Sequence, residues 1–261
     1  MHPRLPIGFA TVDSVRENAM AVSTTTAKPP RTPPLPIRFY RSAIGKKWVM
    51  AVTGIVLIAY LIAHLVGNLK VYLGEDELNS YAEALRDLGG HLVPRTSLLW
   101  LMRGGLLLAF VLHVHAAYSL TYTNWKARGG AYRDRDYAVA NYASRTMRWT
   151  GTIVLLFIFF HLADLTWGAQ PAAVDGFARG EVYDNFILSM QRPVSAVIYA
   201  VANIALGFHL YHGAWSMFQS LGLNHPSFNR WRRYFALALT GFIVLGNLSF
   251  PIAVQLGLLE L

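Results

Sequence analysis

The chain has 261 residues, of which 54% are hydrophobic and 14% charged. That is more apolar surface than the core of one water-soluble domain can hide, so an ordinary soluble enzyme is excluded and a bilayer is implied. The absence of cysteine excludes disulfides, thiolate-ligated iron–sulfur clusters and cysteine zinc sites within the chain, and nine histidines remain as metal-ligand candidates. A net charge of +9 would suit nucleic acid, but the basic residues sit in short connections between apolar runs, a distribution that orients a membrane protein instead.

Residues 1–36 are polar and rich in proline, at Pro29, Pro30, Pro33, Pro34 and Pro36, and lack the apolar stretch of a secretory signal. They read as a disordered cytoplasmic tail. Met20 begins a more typical tail, so residues 1–19 fit an upstream start site and carry no expected function. Residues 37–261 then form the membrane domain. Its five spans, at about 48–69, 98–122, 147–169, 193–219 and 234–257, each reach the roughly 20 apolar residues that cross a bilayer. All should be helices, because lone strands leave backbone groups unpaired in lipid. The expected fold class is therefore all-α, an integral membrane bundle of five transmembrane helices. Gly54, Gly104, Gly105, Gly151, Gly207 and Gly241 permit close approach of a neighbouring helix or a flat cofactor, without choosing between them.

The loops set the orientation. Arg38, Arg41, Lys46 and Lys47 precede the first span, arginines crowd 126–148, and Arg230, Arg232 and Arg233 precede the fifth. These belong on the cytoplasmic side. Glu75, Asp76, Glu77, Glu83 and Asp87, then Asp175, Glu181 and Asp184, mark the outer connections, and the C-terminus lies outside.

An imidazole inside a bilayer is costly unless it is paired, hydrated or coordinating something, so intramembrane histidines are functional candidates. His64 lies in the first span, His113 and His115 in the second, His161 in the third, His209 and His212 in the fourth. At about 1.5 Å per residue His64 is roughly 25 Å from Lys47 and His161 roughly 20 Å from Arg148, both in the outer half. Measured from the outer ends, His115 is roughly 27 Å from Ser97 and His209 roughly 24 Å from Pro193, so these two meet in the inner half. Two histidine pairs at two depths are what two six-coordinate haems stacked across a membrane require. His113 and His115 are about 200° apart on a helix. His115 is preferred, because Gly104 lies three turns earlier on its face and leaves room for a porphyrin. His209 and His212 lie about 60° apart, and geometry does not separate them. His212 is a candidate for a haem propionate or quinone contact, or an interhelical one. His91 and His225 lie in connections, and His2 in the tail.

Ser42, Gly45, Lys46, Lys47, Met50, Ala51, Thr53 and Gly54, followed by His64, Leu65, Gly67, Asn68 and Leu69, then Gly74, Asn79 and Tyr81, form a combination that resembles the five-helix cytochrome b membrane anchor of succinate dehydrogenase and fumarate reductase. The likeness runs on through His115 to Tyr118, His161 and His209 to Gly213 and Trp215, covering nearly everything after the tail. It implies that His64 and His161 bind an outer haem b and His115 and His209 an inner one. It also implies two soluble partners on the cytoplasmic face of a bacterial plasma membrane: a flavoprotein subunit with covalent FAD and an iron–sulfur subunit. Electrons would pass from succinate through them to the haems and on to menaquinone or ubiquinone, with trimerisation of the complex left open.

Quinone exchange needs protons, which makes Asp164, one turn after His161, a candidate, with a helix-end carboxylate in water as its bland alternative. Arg103 is a candidate for a haem propionate, or for snorkelling to the interface. Rival readings are a cytochrome b anchor of another quinone-linked dehydrogenase, and a transporter whose histidines relay protons. The central subunit of a quinol–cytochrome c reductase normally places two ligands on each of two helices, whereas here they spread over four.

Overall fold

A computed structural model describes residues 33–127, 138–223 and 225–261, with backbone alone for 138–145. The tail at 1–32, His2 included, and the arginine-rich loop at 128–137 lie outside the described residues. Among the described residues there is no strand, and the fold is all-α. In chain order come α1 (Leu35–Arg41), α2 (Ala43–Asn68) with a 3-10 turn (Leu69–Leu73), α3 (Glu75–Ala84), α4 (Ser97–Ala127), α5 (Ala138–Leu162) with a π turn (Ala163–Trp167), α6 (Val182–Gln191), α7 (Pro193–Ser220) and α8 (Pro226–Gln255). Of these, α2, α4, α5, α7 and α8 are long and apolar enough to cross a membrane. The chain is a multi-pass membrane protein.

Several boundaries differ from those read off apolar length. α2 begins at Ala43 rather than near 48, and α8 at Pro226 rather than near 234. Lys46, Lys47, Arg232 and Arg233 interrupt the apolar run without interrupting helical hydrogen bonding, since long basic side chains lay their stems along apolar surface. Leu35 and Pro36, counted with the tail, already belong to α1, where a first-turn proline gives up no helical hydrogen bond. α3 and α6 are short amphipathic helices that a search for 20-residue apolar runs passes over.

The packing separates a core from a lipid-facing shell. α2 packs on α4, α5 on α7, and α7 on both α2 and α8. Leu65, Ile187, Met190 and Ile243 are fully buried where α2, α6, α7 and α8 meet. Gly246 admits Leu65 there, because a Cβ on it would stand 2.8 Å from that side chain. On α4, by contrast, Trp100, Leu101, Leu107, Leu108 and Val111 are exposed. So large an apolar outer surface is stable against lipid and not against water.

Residues that carried the family resemblance close the ends of this bundle. The Ser42 Oγ accepts from the Gly45 N–H at 2.9 Å and caps α2. A Cβ on Gly45 would collide with the Phe39 carbonyl oxygen. At the opposite end of α2 the Tyr81 ring lies against Gly67, where a Cβ would stand 2.6 Å from it. Asn79 Oδ1 accepts from the backbone N–H groups of Val182 and Tyr183 at 2.9 and 3.1 Å, capping α6 from a different helix.

Candidate functional site

Two pairs of histidines face one another across the bundle. In the first, His64 of α2 meets His161 of α5, with ring centres 5.9 Å apart and planes at 85°. In the second, His209 of α7 meets His113 of α4, with centres 6.4 Å apart and planes at 68°. His113 therefore takes the place given to His115 in the sequence reading. His115 is exposed on the other side of α4, hydrogen-bonded to the Tyr40 hydroxyl of α1 and stacked on its ring. The glycines that lie against the facing rings are on other helices than α4. A Cβ on Gly104 would meet nothing within 4 Å, whereas one on Gly54 of α2 would stand 3.6 Å from His113 Cε1. Gly151 of α5 lies likewise against His209, with a Cβ placed 3.1 Å from its Cε1.

The separations fit a shared metal. An ion about 2 Å from one nitrogen of each ring puts the ring centres roughly 6.2 Å apart, since each nitrogen stands about 1.1 Å from its centre. The observed 5.9 and 6.4 Å lie on either side of that value. Thr53, which touches His113, is eleven positions before His64 on α2, which sets the two levels roughly 16 Å apart along the helix.

Hydrogen bonding frees one nitrogen for a ligand role in each pair. The Thr53 hydroxyl spends its proton on the Val49 carbonyl at 2.6 Å, so its contact with His113 Nδ1 at 3.2 Å has the ring N–H as donor. Tyr199 OH likewise donates to Asp164 Oδ2 at 3.0 Å and accepts from His161 Nδ1–H at 3.2 Å. Both histidines then keep a bare Nε2, the state a metal-bound imidazole needs. His209 Nδ1 is buried beside the Met147 backbone without a well-formed hydrogen bond. His64 makes none among the described residues and stacks on Tyr60, centres 5.3 Å apart.

The remaining candidates fall at different distances from this machinery. Asp164, in the π turn, is 1% exposed, which rules out a carboxylate lying in water. It accepts from Ser189 Oγ at 2.5 Å, Tyr199 OH at 3.0 Å and Arg192 Nη2 at 3.0 Å, and reaches His161 only through Tyr199. Arg103 is exposed, stacks on Trp100 at 5.0 Å, and is near enough for its charge to act on Tyr60. His212 is half-buried against its neighbour Tyr211 and outside both pairs. His91 is exposed, and exposed His225 caps α8 through Ser227.

A sequence signal runs alongside this arrangement. Met50, Thr53, Gly54, His64 and Leu65 recur as Met147, Thr150, Gly151, His161 and Leu162, always 97 positions on. His115, Ala117 and Ser119 recur as His212, Ala214 and Ser216 at the same offset, and His113 and His209 are 96 apart. Thus α2 with α4, and α5 with α7, are two copies of one two-helix unit. Each facing pair takes one histidine from each copy. Thr150 bonds back to the Thr146 carbonyl at 2.6 Å as Thr53 does to Val49, and α8 stands outside the repeat. Tyr199, Ser189 and Arg192 have no counterpart in the first copy, Ser189 and Arg192 because they lie in and just after α6, and the three meet Asp164 only in the fold. Comparison of the chain with protein-family models, with curated proteins and with solved structures finds no match.

Proposed function

We propose that this chain is a di-haem cytochrome b, the membrane anchor of a succinate:quinone oxidoreductase. The carrying observation is the presence of two facing imidazole pairs, at two levels, drawn from four different spans. An all-imidazole donor set at bis-histidine spacing suits haem iron, while harder cations prefer oxygen. His64 and His161 would hold the outer haem b, and His113 with His209, rather than His115, the inner one. Bound there, the two haems supply one-electron carriers across the membrane.

The chain's own residues prepare both places. Thr53 and Tyr199 fix the ring orientation of His113 and His161 and keep Nε2 unprotonated. Gly54 and Gly151 let those of His113 and His209 lie close to the neighbouring helix. The family resemblance supplies the rest of the reading. Succinate chemistry sits in a flavoprotein partner, an iron–sulfur partner docks on the basic cytoplasmic loops, and ubiquinone or menaquinone exchanges electrons within the lipid.

A reduced-minus-oxidised spectrum of the purified chain, with haem quantified against protein, tests this. Two b-type haems per chain are expected, with a flavoprotein and an iron–sulfur protein co-purifying from the native membrane. Colourless protein from iron-replete cells would favour the transporter reading. Pigment without those partners would favour the anchor of a different quinone-linked dehydrogenase.

A further inference from the structure

Asp164 is fully buried, yet each of its three partners is a donor. Arg192 has no acceptor to offer, and its Nη2 and Nη1 also bond the carbonyls of Ala172 and Ala173 at 2.5 and 3.2 Å. That grip holds the guanidinium against one oxygen of the carboxylate, while Ser189 and Tyr199 share the other. A carboxylate so surrounded accepts only and carries its charge. Tyr199 is wedged in place, 7% exposed, with the rings of Phe157 and Phe160 edge-on at 5.1 and 5.9 Å. Its one hydroxyl proton is committed to Asp164, which leaves its oxygen to receive the Nδ1–H of His161.

We propose that Tyr199 is a positioning residue for His161, and that through it the Asp164 carboxylate strengthens His161 as an electron donor and favours the oxidised state of the iron it binds. This rests on the haem reading of the first pair. Drawing the Nδ1 proton towards an anion raises the basicity of the opposite nitrogen, and a more basic ligand stabilises ferric over ferrous iron. Among the described residues nothing comparable reaches the second pair, where His113 leans on the Thr53 hydroxyl and the Met50 backbone with no anion behind either. It also reassigns Asp164: with its oxygens occupied by three donors, it acts on the ligand and does not deliver protons to a quinone.

The test is a potentiometric titration of the two haem bands in the intact complex. A His161→Ala variant identifies which band belongs to the first pair. Tyr199→Phe keeps the ring and removes the oxygen. It should raise the reduced-to-oxidised ratio of that band about tenfold at a fixed ambient potential, about 59 mV for one electron, and leave the other band in place. Ser189→Ala removes a donor that draws charge off Asp164, and should move the same band a smaller amount the opposite way. An unmoved band in Tyr199→Phe with haem content intact overturns the proposal, as does an equal shift of both bands. Should Tyr199→Phe lose its pigment, the Ser189→Ala shift decides by its sign. Wild-type protein without haem fails earlier, at the reading on which the proposal stands.

Discussion

Where His64 and His161 meet, one ring is tied through a buried phenol to a buried carboxylate. Where His113 and His209 meet, the tie is a threonine hydroxyl whose proton already belongs to its own helix. The helices that bring each pair together are copies of one unit, so the difference comes from side chains the copies do not share and from what surrounds them. The first pair borrows Ser189 and Arg192 from α6 and the connection after it, whereas the second is furnished from within the repeat. The sequence repeat explains the shared geometry. The asymmetry comes from side chains that only the second copy carries, Asp164 after α5 and Tyr199 on α7, together with α6, which lies inside that copy between α5 and α7.

The bluntest way to break this comparison is to remove a ring. His113→Ala should abolish one of the two haem bands and halve the haem-to-protein ratio, while His115→Ala leaves both bands; the reverse result would return His115 to the second pair. Next in size is Arg192→Leu, which leaves the Asp164 charge buried without its cation. We expect a loss of about 2–3 kcal/mol in thermal or denaturant unfolding, less than for a wholly enclosed pair because the Arg192 side chain is about a third exposed. The band of the second pair should not move. Gly151→Val pushes a side chain against His209 and should cost about 1–3 kcal/mol and lower occupancy of the second pair. Gly54→Val, with its wider 3.6 Å clearance, should do less, which haem content per chain will show. The smallest effect is Thr53→Val, which removes one acceptor beside His113 Nδ1–H, leaving the Met50 backbone, at about 1 kcal/mol or less. It should shift the second band slightly, while Thr150→Val, whose hydroxyl bonds carbonyls of its own helix, should leave it unchanged.

The sequence makes the five spans legible because membrane helices must be long, apolar and internally hydrogen-bonded. Their charged ends are harder to place: Lys46 and Arg232 are helical but look like loop. Depth counting along each span brings His64 opposite His161, because one residue of error moves a side chain only about 1.5 Å. The same tolerance defeats it on α4, where His113 and His115 differ by about 3 Å in depth but by about 200° in direction. Direction depends on the neighbouring helix, where Thr53 and Gly54 lie against His113. Tyr199 was beyond such reading, since an aromatic in an apolar span looks like packing until its hydroxyl finds Asp164.

The division of each pair between the two copies also bears on assembly. During synthesis α2 and α4 reach the bilayer with two rings and no counterpart for either, and α5 completes only the first pairing. A half-protein made of either copy would own one jaw of both clamps and be unable to close them. A ligand of the first pair could be seated once α5 is threaded, one of the second pair only after α7, and either would rivet the early half of the chain to the late one.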